Sequence, residues 1–296
     1  MMRSSSARFT SFANLKASMT ELKCRLCGSL EKPTPLFAGI VKCKGCGLDY
    51  FPDNADTSKL YQRDYFHGAE YQSYSEEKEI LQRNFRPRLA DILRKHSSGK
   101  LLELGCAYGF FLDLAKKHFQ VKGVDITVEG TENARKNFSV EAICADFATL
   151  PDEKNAYDVV CLWDTIEHLP EPFLYLKKAA GWLKPGGHLW LTTGDMGSKI
   201  AKARGEKWRQ IHPPTHLYYF DRSSIEMALN NAGLKLEKFE HVGQYRSLKT
   251  MAYVMFVLRS PKLKWLYNLI TLGGRFDLPI YLNTYDIMQV TAIKPS

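Results

Sequence analysis

No run of residues in this 296-residue chain is apolar for long enough to cross a bilayer. The longest strongly apolar stretch, Met251 to Leu258, is eight residues set between Lys249 and Arg259, where a spanning helix needs about 20. The first 20 residues lack acids altogether and lack the apolar core of a signal peptide, holding five serines and the basic residues Arg3, Arg8 and Lys16. They read as a tail over residues 1–20, disordered, transit-like or upstream of a translation start at Met19, and are set aside from the fold. Acids are also missing from Arg246 to Arg275, which carries six basic residues. Both stretches contribute to a net charge of +9, which permits an acidic partner without requiring one; a solvated basic face is the simpler reading. What is present is the balance of a soluble globular protein, 45% hydrophobic and 25% charged, in a length that suits one substantial core with a small module attached.

Seven cysteines fall into two groups. Cys24-Arg25-Leu26-Cys27 and Cys43-Lys44-Gly45-Cys46 are two C-x-x-C pairs fifteen residues apart. That is the spacing of a tetrathiolate zinc site, each pair on a tight turn and the hairpin between bringing them together. With no open ligand position, the zinc is expected to be structural. The competing reading, a redox or disulfide pair, leaves the second C-x-x-C without a role. Cys106, Cys144 and Cys161 sit in apolar strand contexts and read as core thiols. All this suits a reducing, cytoplasmic compartment.

The chain is organised around Leu101-Leu102-Glu103-Leu104-Gly105-Cys106-Ala107-Tyr108-Gly109, followed by Phe110-Phe111-Leu112. Apolar residues lead into an acid, small residues follow at alternate positions, and an amphipathic run begins. This predicts a buried parallel strand, a tight turn and a helix N-terminus with free N–H groups. Twenty residues after Gly105 comes Asp125, followed by Ile126; an acid at the end of a second strand suits the hydroxyls of a ribose. A dinucleotide fingerprint would need a third glycine where Phe110 stands. A nucleoside carrying an ammonium group needs no such glycine, and gives Glu103 a partner. In these residues the chain resembles the class I S-adenosylmethionine-dependent methyltransferases.

The coarse pattern predicts strands over Leu101–Leu104, Val121–Asp125, Glu141–Ala145 and Tyr157–Trp163, with helices near 110–118 and 129–137. A turn over Leu183–Gly187 leads into a fifth strand, His188–Thr193, and a sixth is expected over Leu234–Val242. From Leu48 to His96 the chain reads as helical and rich in aromatics, with a helix over 76–95 despite Pro87. A later helix is expected to be capped by Ser223 with Glu226 and stopped by Gly233. The fold class is α/β: a doubly wound, Rossmann-like, mostly parallel seven-stranded sheet, residues 99–296. A zinc ribbon (21–50) and a helical cap (51–98) precede it. Acids fall at four strand ends: Glu103, Asp125, Asp146 and Asp164.

The resemblance implies more. Asp146 would take the adenine amino group with Phe147 flanking the ring, and Trp163-Asp164 would close the cofactor site. Tyr65, in a Tyr65-Phe66 pair of the aromatic cap, would cover the cofactor's methionyl end. Glu167-His168-Leu169-Pro170 matches the family pattern after the fourth strand. The stretch His212-Pro213-Pro214-Thr215-His216-Leu217-Tyr218-Tyr219-Phe220, with Trp208 upstream, resembles the substrate loop (194–220) of small-molecule methyltransferases, where His216 is a candidate general base. Its structural alternative is that His216 caps a helix or packs. Residues 244–285 exceed the minimal fold. They read as amphipathic helices over Met251–Leu258 and Lys264–Leu272, serving as a lid, an oligomer contact or a peripheral membrane surface, before an antiparallel seventh strand at Asp286–Lys294.

The function so implied is methyl transfer from S-adenosylmethionine to a small-molecule acceptor such as a sugar, a polyketide-like compound or another secondary-metabolite or glycoconjugate precursor. Two alternatives stay open: a ribosomal or transfer RNA methyltransferase with a zinc module, and a non-catalytic zinc-ribbon interaction protein. A ribbon hairpin that is not notably basic speaks against nucleic acid.

Overall fold

A computed structural model describes residues 23–52, 78–253, 256, 261–271 and 278–296. Among these, no helix is long and apolar enough to cross a membrane. Tyr61, Tyr65, Phe66, Tyr71 and Tyr74 of the expected cap, Tyr65 being its proposed cofactor contact, lie outside the described residues.

Three two-residue strands open the chain: β1 (Thr34–Pro35), β2 (Val41–Lys42) and β3 (Asp49–Tyr50). Helix α1 (Lys78–Leu93) contains Pro87 and buries Leu89 and Ile92. Then come β4 (Lys100–Leu104), α2 (Phe110–Ala115), β5 (Gln120–Asp125), α3 (Val128–Phe138), β6 (Glu141–Cys144), β7 (Tyr157–Trp163), α4 (Pro172–Trp182) and β8 (Leu183–Gly194). After β8 come α5 (Lys199–Arg204), β9 (Tyr218–Tyr219), α6 (Arg222–Asn231) and β10 (Lys235–His241). The last part holds β11 (Gln244–Ser247), α7 (Leu248–Tyr253), α8 (Lys264–Thr271), β12 (Pro279–Leu282) and β13 (Ile287–Ile293).

Seven strands form the main sheet in the order β10-β13-β8-β7-β4-β5-β6. Strands β4 to β8 pair parallel, while β13 runs antiparallel to both β8 and β10. Because side chains alternate across a strand, Leu102 and Leu104 join a core with α4 and α6, and Leu101 joins the opposite core with α1 to α3. Helices therefore cover both faces, as a buried parallel sheet requires.

Four local expectations are corrected. The stretch from Leu48 is not helical at its start, since Asp49 and Tyr50 pair with β2. The fifth strand takes in Leu183, which pairs with Tyr157 before the ladder resumes at Val159 and His188. Helix α6 is capped by Asp221, whose carboxylate accepts from the Ser224 N–H while the Ser224 hydroxyl answers the Asp221 N–H, so the box starts two residues earlier than Ser223. The 244–285 insertion is not helical throughout: β11 and β12 pair antiparallel and form its stem. Asn84 of α1 clasps that stem, accepting from the Tyr245 N–H at 2.6 Å and donating to the Tyr245 carbonyl at 3.1 Å.

Candidate cofactor and acceptor site

Strand order reverses on either side of β4, which opens a crevice above the carboxyl ends of β4, β5 and β7. The turn after β4 is shaped for backbone approach. Gly105 has φ +75°, and a Cβ there would stand 2.4 Å from Thr165 Oγ1, so both conformation and space exclude a side chain. Asp125 fastens this turn: Oδ2 accepts from the Ala107 N–H at 2.8 Å, and Oδ1 accepts from the Thr127 N–H and hydroxyl at 2.8 and 2.6 Å. Gly109 begins α2, and the space a Cβ would need is taken by Ala134. Ile126, just past Asp125, is half exposed.

Asp146 follows β6 and is exposed, accepting from the Ala148 N–H at 2.8 Å and from the Tyr175 hydroxyl. Its neighbour Phe147 is 3% exposed, 4.8 Å from the Trp182 ring. Phe147 props the turn up from within the core.

The opposite end of the crevice carries charge. Glu103 is 2% exposed, and its Oε2 has no hydrogen-bond partner among the described residues. Burial, reinforced by Asp125, holds this carboxyl well above the usual range, with Arg88 opposing. The indole N–H of Trp163 is also buried and has no hydrogen-bond partner among the described residues. Over that indole, at 5.0 Å, lies the guanidinium of Arg88, which reaches Asp164 Oδ2 at 3.7 Å. A buried polar atom without a partner costs free energy that a ligand can return. An ammonium suits Glu103 and a carboxylate suits Arg88, so the pair fits the amino-acid end of S-adenosylmethionine. Arg88 escaped the sequence reading. The available signal was its place on the apolar stripe Phe85, Arg88, Leu89, Ile92, where an arginine needs a reason.

Beside β7's end, Glu167, His168 and His216 bring ligand-type atoms within 4.8 Å of one another. His168 Nδ1 lies 2.9 Å from the Thr215 carbonyl; a carbonyl only accepts, so Nδ1 carries the proton and Nε2 is the acceptor nitrogen. The His168 and His216 rings meet edge to face at 4.5 Å, and His212 stands 5.5 Å from His216. His216 is 8% exposed. Burial, then the neighbouring His168 and His212, pushes it down to about 2, so the imidazole is neutral. Trp208 is buried, donating to Asp286 at 2.8 Å.

The four amino-terminal cysteines converge as their spacing predicts. All four sulfurs lie within 4.8 Å of one another, with Cys24 to Cys46 at 3.7 Å and Cys27 to Cys43 at 3.6 Å. Disulfides are about 2.05 Å long. Sulfurs around a tetrahedral zinc at about 2.3 Å are about 3.8 Å apart. Two matched turns hold them, Gly28 N–H to Cys24 O at 2.8 Å and Gly47 N–H to Cys43 O at 2.9 Å. The donor set and spacing fit zinc.

The family profile described as "Methyltransferase domain" matches residues 71–238, more than half of the chain. The chain belongs to the methyltransferase-domain family. Among curated proteins, this methyltransferase-domain chain is 31% identical over 112 residues to a ubiquinone biosynthesis O-methyltransferase of Idiomarina loihiensis, covering 34% of this chain and 46% of that protein. It is 27% identical over 202 residues to the protein of that name from Acinetobacter baylyi, covering 62% and 84%. The chain thus spans less than half the length of the first of these relatives. Two solved structures share the fold: BH2331 of Bacillus halodurans C-125 (17% identity, TM-score 0.52, 71% of this chain and 98% of that one) and YcgJ of Bacillus subtilis (13%, 0.51, 75% and 100%). At these identities they show the fold alone.

Proposed function

We propose that this protein transfers the methyl group of S-adenosylmethionine to a nucleophilic atom of a small molecule, with a hydroxyl oxygen as the first candidate. The observation that carries the cofactor half is Glu103, a buried carboxyl whose Oε2 has no hydrogen-bond partner among the described residues, beside a turn that admits no side chain at position 105. The relatives' name, O-methyltransferase in ubiquinone biosynthesis, supports a small hydroxylated acceptor.

When bound, S-adenosylmethionine supplies an electrophilic methyl on sulfonium. The chain's residues do the rest. Asp125 holds the turn and offers carboxylate lone pairs to a ribose, Asp146 offers the same to an adenine amino group, and Glu103 with Arg88 would hold the ammonium and carboxylate. Much of the rate then comes from orienting the acceptor for in-line attack. His216, neutral and facing His168, is the candidate to take the acceptor's proton; its low basicity means the proton must pass on promptly, and His168 is the adjacent imidazole. Cys24, Cys27, Cys43 and Cys46 would hold one structural zinc as thiolates, and cysteines kept out of disulfides suit the cytoplasm.

The test is calorimetry with S-adenosylhomocysteine and NAD, followed by thermal stabilisation with a panel of phenols and sugars in the presence of S-adenosylhomocysteine. Binding of S-adenosylhomocysteine alone is expected. Failure to bind it, or binding of NAD in its place, defeats the reading, and sequence-selective RNA binding at physiological salt would move the acceptor to RNA.

A further inference from the structure

The cysteine module does not sit apart from the site. Strand β3 pairs antiparallel with β9, Asp49 opposite Tyr219 and Tyr50 opposite Tyr218, so a four-stranded sheet β1-β2-β3-β9 takes its last strand from the loop that carries His216. The ladder extends one step further, where the Phe51 N–H donates to the Leu217 carbonyl at 2.8 Å. Leu217 in turn donates its N–H to the Glu167 carbonyl at 2.8 Å, and Thr215 holds His168. The Tyr219 hydroxyl donates to the His216 carbonyl at 3.1 Å.

A second strap runs from the first cysteine turn. Arg25, between Cys24 and Cys27, pairs with Glu171 at 2.7 Å, donates to the Pro170 carbonyl, and reaches the Tyr218 hydroxyl at 3.3 Å. The Leu26 carbonyl accepts from Asn231 of α6 at 3.0 Å. Packing says the same. Cys24, Leu26, Cys43, Leu48 and Tyr50 belong to one core with Leu217, Tyr218 and Phe220, while Ile40 of the ribbon hairpin packs with Trp208 and Tyr219.

We infer that the cysteine ribbon is a positioning element of the acceptor site: through Arg25, Tyr50 and Phe51 it sets where His168 and His216 stand. This rests on the reading that those histidines face the acceptor. The cofactor residues Glu103, Asp125 and Asp146 hang on a different sheet, with no ribbon strand in it. The two halves of the site therefore answer differently to damage in the ribbon. An appended module would lose only solubility when stripped of metal; a positioning element loses the histidine geometry while the cofactor still binds.

The experiment uses the full chain, zinc-loaded, chelator-treated, and as Arg25→Ala and Arg25→Lys. Two signals are read: the Nδ1-protonated tautomer of His168 by 15N-histidine spectroscopy, and amide exchange over 166–171 and 212–220. Affinity for S-adenosylhomocysteine is the control. Chelation and Arg25→Ala are each expected to erase the His168 tautomer signature and raise exchange at least tenfold in both segments. Affinity stays within twofold, and Arg25→Lys restores part of the signature. An unchanged tautomer and unchanged exchange in Arg25→Ala overturn the inference. Should chelation unfold the whole chain, Arg25→Ala decides alone. Should the zinc-loaded protein not bind S-adenosylhomocysteine, the proposed function fails while the exchange data still judge the ribbon.

Discussion

Glu103→Gln separates binding from stability in an unusual way. The wild-type carboxyl is buried with one oxygen unpaired among the described residues, and burial holds its pKa well above the ordinary 4.5. The native chain therefore keeps this proton over a pH range in which the unfolded chain has lost it. More protons on the native state means that the group's contribution is fully present below about 4.5 and is lost as pH rises through the folded value. Glutamine has nearly the same shape and no charge to desolvate, so the ligand-free variant should be no less stable, with a flatter dependence on pH. Binding should move the other way. An ammonium donating to a carboxylate contributes about 1.5–3 kcal/mol, so S-adenosylhomocysteine should bind about 10- to 150-fold more weakly. In the wild type, binding should release a proton and tighten as pH rises, which calorimetry in buffers of different ionisation enthalpy measures directly. A variant that lost more than about 2 kcal/mol of ligand-free stability yet bound S-adenosylhomocysteine normally would make Glu103 a structural counter-ion of Arg88 and refute the reasoning.

Gly105→Ala puts a side chain at φ +75°, facing Thr165 at 2.4 Å; a loss of about 2 kcal/mol, or about 4–8 °C in melting temperature, should accompany loss of cofactor binding, and an unchanged thermal scan would contradict it. His216→Ala should leave S-adenosylhomocysteine affinity intact and lower turnover about 10²–10⁴-fold with an acceptor found by the panel. Because His216 is held down to about 2, the wild-type rate should show no acid limb from it near pH 6.5; a limb there that vanishes in His216→Ala would mean the occupied site raises its basicity.

The strand ends were readable because each acid falls at or near the close of an apolar run of the right length: Asp125 ends β5, Asp146 and Asp164 follow β6 and β7, and Glu103 lies one residue inside the end of β4. The cysteine site was readable for the same kind of reason, since spacing along the chain nearly fixes the turns. Arg88 was not, because its meaning depends on how α1 is rotated against Trp163, and helical periodicity alone cannot say what covers a charged residue on the apolar stripe. Strand β9 was hidden by its length: two residues carry no periodicity, and their partners Asp49 and Tyr50 lie far back in the sequence. The burial of Phe147 against Trp182 was not readable either, because it depends on packing from α4.

The pairing of β3 with β9 also bears on when the protein can finish folding. Residues of the ribbon leave the ribosome early, yet Leu26 waits for a partner 205 residues later and Arg25 for one at Glu171. At the other end, β13 slots between β8 and β10, both translated before it, so the main sheet also stays open until residues 287–293 arrive. Neither closure is available to a nascent domain folding from its N-terminus. Contacts of such sequence separation form late, after their loop entropy has been met by more local pairings such as β4 with β5. The ribbon cysteines thus precede by a long stretch of chain the strand that completes their sheet, and an early-bound metal ion would shield their thiols until Tyr218 and Tyr219 arrive.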